Sequence, residues 1–158
     1  MLSSIHLAHE FIFRTSVAGP HEVGNGPYGT RQYYELTDGV VEGTRLSGRT
    51  IGTGADWMLA GSDGFLRMDA RIQFMTNDGA VICAHYHGPA EANAKLREAI
   101  TANEPTNFAD QRIRTHWLLE AGDPSYAWVS QAVFVGEGRF NPQRPGIAGF
   151  EHRVYRVG

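Results

Sequence analysis

Asp-Gly occurs three times between strand-like runs, at Asp38-Gly39, Asp63-Gly64 and Asp78-Gly79. A tight hairpin turn needs positive φ at its central residues, which Gly adopts freely and Asp at small cost. Successive turns of this kind predict an antiparallel meander. The stretch 43–88 reads as three consecutive strands joined by the last two turns. Nineteen glycines punctuate further short runs and extend the all-β reading to the rest of the chain.

The chain in order supports this reading. Residues 5–17 open a strand around Glu10–Val17, and 18–30 (AGPHEVGNGPYGT) read as a loop. RQYYELTDGVVEGTRLSG reads as a hairpin around Asp38-Gly39. PAEANAKLREAI predicts one short helix over 89–100, with Pro89 in its first turn. Residues 111–120 resume a strand, YAWVSQAVFVGEGR reads as a long strand or bent pair, and FEHRVYRV closes the chain. No repeat or internal boundary divides residues 1–158, which predict a single domain.

Composition excludes several function classes. Net charge is −3 and basic residues form no run, so there is no electrostatic footprint for nucleic acid. The single cysteine, Cys83, rules out an intrachain disulfide and a cysteine-based zinc site; in AVICAHY it reads as a buried inert thiol. MLSSIHLAHEFIF has neither a basic leader nor a continuous apolar core, and no run approaches the ~18 apolar residues of a membrane span. The expectation is a cytoplasmic protein with no membrane partner.

Treating Asp63-Gly64 and Asp78-Gly79 as two-residue turns assigns the faces of the three strands. Asp56 then pairs with Arg71, Trp57 with Ala70, Arg71 with Tyr86 and Ala70 with His87. One face holds Asp56, Met58, Asp69, Arg71, Gln73 and Tyr86. The other holds Trp57, Leu59, Met68, Ala70, Ile72, Phe74, Cys83, His85 and His87. A three-residue turn with a bulge would move one strand's side chains to the other face. Two arrangements fit this division: an apolar core under a solvated polar face, or a polar face that lines a cavity.

Several motifs carry a resemblance. V-E-G-T-R-L-S-G, G-A-D-W (54–57), S-D-G-F-L-R-M-D-A-R (62–71), N-D-G-A-V-I (77–82), the stretch 126–139 and V-Y-R-V (154–157) resemble the bacterial and fungal family called "domain of unknown function 3237". The likeness covers almost the whole chain. It implies a single antiparallel up-and-down β-barrel, calycin-like or allene-oxide-cyclase-like, with one short helix, and often a homodimer. The family's strongest positions correspond here to Gly54, Asp56, Trp57, Asp69, Arg71, Asp78 and Gly79. The turn explains Asp78 and Gly79. Asp56, Asp69 and Arg71 have no such backbone reason, which favours the polar-lumen arrangement. This sequence departs from the family pattern at 85–87, where histidines stand, and at Ser130.

Two clusters could carry chemistry. In the first, Asp56 or Asp69 acts as the acid–base group, Arg71 anchors an anion or enolate, and Tyr86 donates a proton; desolvation in a lumen would raise a carboxyl pKa into the useful range. Trp57, His85, His87 and Trp128 are the candidate substrate-binding residues. Such a set needs no cofactor and suits an isomerase, lyase, hydratase or cyclase acting on a small organic acid or carbonyl compound. The same side chains could instead be an ion-pair network, or the barrel a lipocalin-like carrier. The second cluster is His85-Tyr86-His87, two imidazoles pointing the same way from one strand. With Gly79 and Glu91 it matches most of a cupin metal motif, with His116 and His152 as further ligands, but Glu98 replaces the expected glycine. The reading adopted is metal-free, with the cupin-like enzyme as an alternative. The expected partner is a small molecule.

Overall fold

The computed structural model describes residues 3–158. Nine strands form one antiparallel sheet: β1 Leu7–Gly26, β2 Gly29–Gly43, β3 Gly48–Thr50, β4 Gly54–Ala60, β5 Phe65–Thr76, β6 Val81–Glu91, β7 Arg114–Ala121, β8 Phe134–Phe140 and β9 Gly149–Val157. Consecutive strands pair, except β3 with β4, and β1 pairs with both β2 and β9, which closes the sheet into a barrel. The short β3 and β4 share one position between β2 and β5, so the ring is effectively eight strands around. The up-and-down barrel implied by the resemblance is the observed fold.

Alternation along β5 fixes which side faces in. Met68, Ala70, Ile72, Phe74 and Thr76 are buried, whereas Arg67, Asp69, Arg71, Gln73 and Met75 are exposed. The turns at either end of β5 decide what joins each face. Gly61 N–H donates to Phe65 O (2.9 Å) and Thr76 N–H to Ala80 O (2.8 Å), so each loop holds three residues, with Gly64 and Gly79 at positive φ. This is the three-residue hairpin with glycine in the left-handed position, not the two-residue turn expected from Asp-Gly. Asp56 therefore pairs with Ala70, Ala55 with Arg71, Ala70 with Tyr86 and Asp69 with His87. Each neighbour of β5 is one residue out of the expected register and presents its opposite face.

Four other expectations are corrected. Asp38-Gly39 is not a hairpin but a bulge inside β2, with Asp38 at φ 52°, where β2 changes partner from β4 to β3. A methyl group at Gly39 would meet Thr50 Cγ2 at 2.4 Å and Phe13 Cε2 at 2.9 Å, so the close approach also requires glycine. Most of the expected loop 18–30 is strand, and the β1–β2 turn falls at Pro27-Tyr28. Helix α1 spans Ala94–Ala102 rather than 89–100. Pro89, Ala90 and Glu91 continue β6 opposite Arg67, Leu66 and Phe65, and Asn93 caps the helix by accepting from Leu96 N–H at 2.9 Å. Finally, Pro124–Gln131 is a 3-10 turn, and the strand begins only at Phe134.

The two connections close opposite ends of the barrel. The 3-10 segment buries Val129 in the main core, the cluster that also holds Phe11, Phe74, Trp117 and Phe134. Tyr126 OH donates to Asp78 Oδ1 (2.7 Å), and the Arg45 guanidinium lies 3.9 Å over the Trp128 ring while gripping Glu10 through two 2.8 Å hydrogen bonds. That end is solid. At the other end α1 packs Leu96 and Ala99 on Phe140, and Met68, Ala90 and Ile113 form a separate small cluster. A cavity remains between these groups and the main core.

Candidate active site

One row of paired residues crosses the wall of the cavity. Tyr34 on β2 pairs with Asp56 on β4, Asp56 with Ala70 on β5, and Ala70 with Tyr86 on β6. Directly opposed residues share a face, so Tyr34, Asp56 and Tyr86 all point inward. All three line a cavity of about 200 Å³ whose walls are otherwise mostly apolar, including Met58, Met68, Ile100 and Phe150. An apolar site of about 150 Å³ holds benzene, so this one suits a small ring compound.

Burial sets the electrostatics of the row. Desolvation raises the Asp56 pKa from its usual 3.8 to about 6; a hydrogen bond from the Asp69 backbone N–H opposes the rise, and the Asp69 charge adds to it. That N–H donates to Asp56 Oδ1 at 2.9 Å. The Tyr34 phenol is pushed up by burial and by the Glu22 and Asp56 charges, and the Tyr86 phenol well up by burial and Asp56. Both phenols therefore stay protonated and can donate hydrogen bonds at neutral pH.

His152 on β9 completes the polar set. It is 1% exposed and lines the same cavity, its ring 5.2 Å from that of Tyr86. Burial lowers its pKa from 6.5 to about 4, partly offset by the Glu151 charge, so the ring is neutral at neutral pH. Its Nδ1 has no hydrogen-bond partner. Gly138 makes room for the ring, since a methyl group there would stand 3.1 Å from both Nδ1 and Cε1. The neighbouring Gly136 does the same for Trp117, whose ring stacks on Tyr86 at 4.1 Å.

The structure divides the residues singled out from sequence. Asp56 and Tyr86 reach the cavity, while Asp69 and Arg71 lie on the outer wall, because β4 and β6 are each shifted by one residue against β5. Trp57 is 44% exposed on the outside. His85 and His87 also face outward: His85 Nε2 lies 2.7 Å from Asp69 Oδ1, and His87 Nε2 lies 3.2 Å from His116 Nδ1. Trp128 packs at the solid end under Arg45. None of Trp57, His85, His87 and Trp128 lines the cavity. The cupin-like arrangement is likewise split, with His85 and His87 outside the barrel and His152 inside. Among the described residues, no three His, Cys, Asp or Glu side chains converge as they stand on a point that could hold a metal ion.

The family described as "Protein of unknown function (DUF3237)" matches residues 5–157. The chain belongs to this family. DUF3237 relatives include a UPF0311 protein of Rhodopseudomonas palustris (strain TIE-1), 25% identical over 136 residues that cover 86% of this chain and 89% of the relative. Among solved structures, a conserved protein of unknown function from Rhodopseudomonas palustris superposes with a TM-score of 0.85 at 23% identity over 100% of both chains. A "beta-barrel like protein" of Acinetobacter baumannii AYE gives 0.79 at 25% identity, covering 100% of this chain and 99% of that one. A more distant neighbour, described as an enzyme from Penicillium herquei, gives 0.70 at 18% identity over 100% and 98% of the two chains. These likenesses place the fold of the DUF3237 chain among barrels.

Sequence reasoning missed Tyr34 and did not place His152 in the lumen. A signal for Tyr34 existed: in QYYEL the tyrosines occupy adjacent, opposite-facing positions, so one of them had to face inward. His152 sits in the alternating EHRVYRV, where it shares a face with Val154.

Proposed function

We propose that the barrel is a cofactor-independent acid–base enzyme, of isomerase, lyase/hydratase or cyclase type, acting on a small uncharged carbonyl or enol compound. The observation that carries this reading is Asp56, a carboxyl group on the cavity wall that burial lifts to about 6. A group titrating near the working pH both accepts and returns a proton efficiently. Tyr34 and Tyr86, the two phenols whose pKa values Asp56 raises, can donate to an enolate oxygen as it forms. In this scheme Asp56 removes a proton next to the carbonyl, the phenols hold the oxygen, and Asp56 returns the proton at the same or another carbon.

The electrostatics argue for a neutral substrate. Among the described residues that line the cavity none is Lys or Arg, so a carboxylate would be desolvated there without a counter-ion, beside Asp56. The organic-acid half of the sequence expectation depended on Arg71, which faces outward. The Penicillium herquei neighbour, described as an enzyme, supports catalysis by fold analogy alone. Location in the cytoplasm, a homodimeric state and a single small-molecule partner belong to the same proposal. In the described residues no helix is long and apolar enough to cross a membrane.

The test is hydrogen–deuterium exchange at the carbon next to the carbonyl, followed by NMR in heavy water with a panel of small cyclic ketones and their carboxylated analogues. The reading expects catalysed exchange with neutral ketones, little with the carboxylates, and loss in Asp56→Asn. Ketones that bind stoichiometrically yet exchange at the buffer rate would replace it with the lipocalin-like carrier.

A further inference from the structure

The outer wall carries a cluster that the lumenal chemistry does not use. His85 and His87 stand two residues apart on β6, and His116 on β7 lies directly opposite His87. Asp69 on β5 lies opposite His87 on its other side. The rings of His87 and His116 are 5.1 Å apart, and those of His85 and His87 5.4 Å. His87 and His116 border an open groove that also contains Glu137 and Tyr155.

We propose that His87 Nε2 and His116 Nδ1 form a two-nitrogen site for an exchangeable divalent transition-metal ion of the zinc, nickel or copper class. The remaining coordination positions would be filled from the groove. Two nitrogens bound about 2.0–2.1 Å from one tetrahedral ion stand about 3.3 Å apart. The observed separation is 3.2 Å, at the long end for an N–H···N hydrogen bond between the two rings. Imidazole ligands select these metals over magnesium or calcium. Two carboxylates lie nearby: Asp69, held 2.7 Å from His85 Nε2, and Glu137 in the groove, which accepts from Tyr155 OH at 3.3 Å. Of the nearby cations, Arg153 lies 3.6 Å from Glu137, Arg114 directs Nη1 to its neighbour's carbonyl, Ile113 O, at 2.9 Å, and Arg71 lies beyond Asp69, opposite His85. Because two side chains supply the ligands, the ion is labile rather than a structural element of the fold. The site lies on the face opposite the cavity and does not depend on the lumenal chemistry.

The experiment is calorimetric titration of the full, untagged chain at pH 7.5 with zinc and, separately, with magnesium. One zinc ion per chain and no magnesium binding are expected. His87→Ala and His116→Ala should each weaken zinc by roughly tenfold or more, and Asp56→Asn should leave it unchanged. Both histidines are on the outer wall, so folding of the variants is checked directly by circular dichroism. Paramagnetic broadening by copper should centre on His87 and His116 in NMR spectra. No uptake at millimolar zinc, uptake that survives the double substitution, or broadening centred on His6 or His21 would each overturn the proposal.

Discussion

The barrel wall carries two polar rows one residue out of phase. The inner row is Tyr34–Asp56–Tyr86, and the outer is Asp69–His87–His116. Both contain an aspartate, and the two aspartates touch through the backbone, Asp69 N–H donating to Asp56 Oδ1. Their surroundings differ entirely. The Asp56 side chain is enclosed and its pKa is lifted to about 6, while the Asp69 side chain is 54% exposed and paired with His85. A carboxylate becomes a candidate acid–base group through the side of the sheet it occupies, and one loop residue at each of two turns determines that side here.

The largest effect expected from this contrast is on proton transfer. In the ketone exchange assay, Asp56→Asn should lower the catalysed rate by about 10²–10⁴-fold, the usual contribution of a positioned acid–base group. Asp69→Asn should leave the rate within about twofold, because its side chain has no access to the cavity and its charge is the smallest of the three influences on the Asp56 pKa. Equal losses in the two variants would erase the distinction between the rows.

Stability should respond to the same contrast with a defined sign. The folded pKa of Asp56, about 6, exceeds the usual 3.8, so the folded chain keeps a proton that the unfolded chain releases between those values. The resulting destabilisation appears as pH rises from 4 to 6 and is complete above, amounting to at most about 3 kcal/mol. Asp56→Asn, whose amide oxygen can still accept from Asp69 N–H, should therefore be more stable than wild type at pH 7.5, with the advantage vanishing near pH 4. His152 acts oppositely. Its folded value of about 4 lies below the usual 6.5, so its contribution is complete above pH 6.5 and is lost as pH falls toward 4. In wild type the two effects largely cancel between pH 4 and 6. In Asp56→Asn the acid loss due to His152 should stand exposed in urea melts taken across that range.

A smaller effect is expected where the lumen is tight. Gly138→Ala places a methyl group 2.7 Å from Ile113 Cγ2 and 3.1 Å from the His152 ring. Such overpacking should cost about 1–3 kcal/mol in chemical denaturation and displace His152. The smallest effect belongs to the outer row. His116→Ala, on a half-buried side chain at the groove, should change stability by no more than about 0.5 kcal/mol in metal-free buffer.

The residues that alternate cleanly were legible in the sequence. The alternation of β5, the strand after the Asp63-Gly64 turn and the closing strand FEHRVYRV were all readable from period-two patterning. The Asp-Gly steps correctly located both ends of β5. They did not disclose loop length, because Asp-Gly suits the two-residue turn and the three-residue turn with glycine in the left-handed position equally well. That single ambiguity put Asp69 and Arg71 on the face of Asp56 and Tyr86 and apart from His85 and His87, whose outer face they share. It also made an Asp56–Arg71 pair look plausible, although the two side chains lie on opposite sides of the wall. Asp38-Gly39 misled differently, since a bulge and a turn share the demand for positive φ. Pro89 suggested a helix start, but β5 offered three more pairing positions, so the strand ran past it. His152 lies far from Asp56 in sequence, and only closure of β9 on β1 and β8 brings it to the cavity.

The most direct test is the titration of Asp56 itself. In protein labelled with 13C at the aspartate carboxyl carbon, and assigned through Asp56→Asn, its NMR shift followed from pH 3 to 8 should give a midpoint near 6. A midpoint close to the ordinary 3.8 would show a solvated carboxylate and contradict the assignment of Asp56 as the buried acid–base group of the cavity.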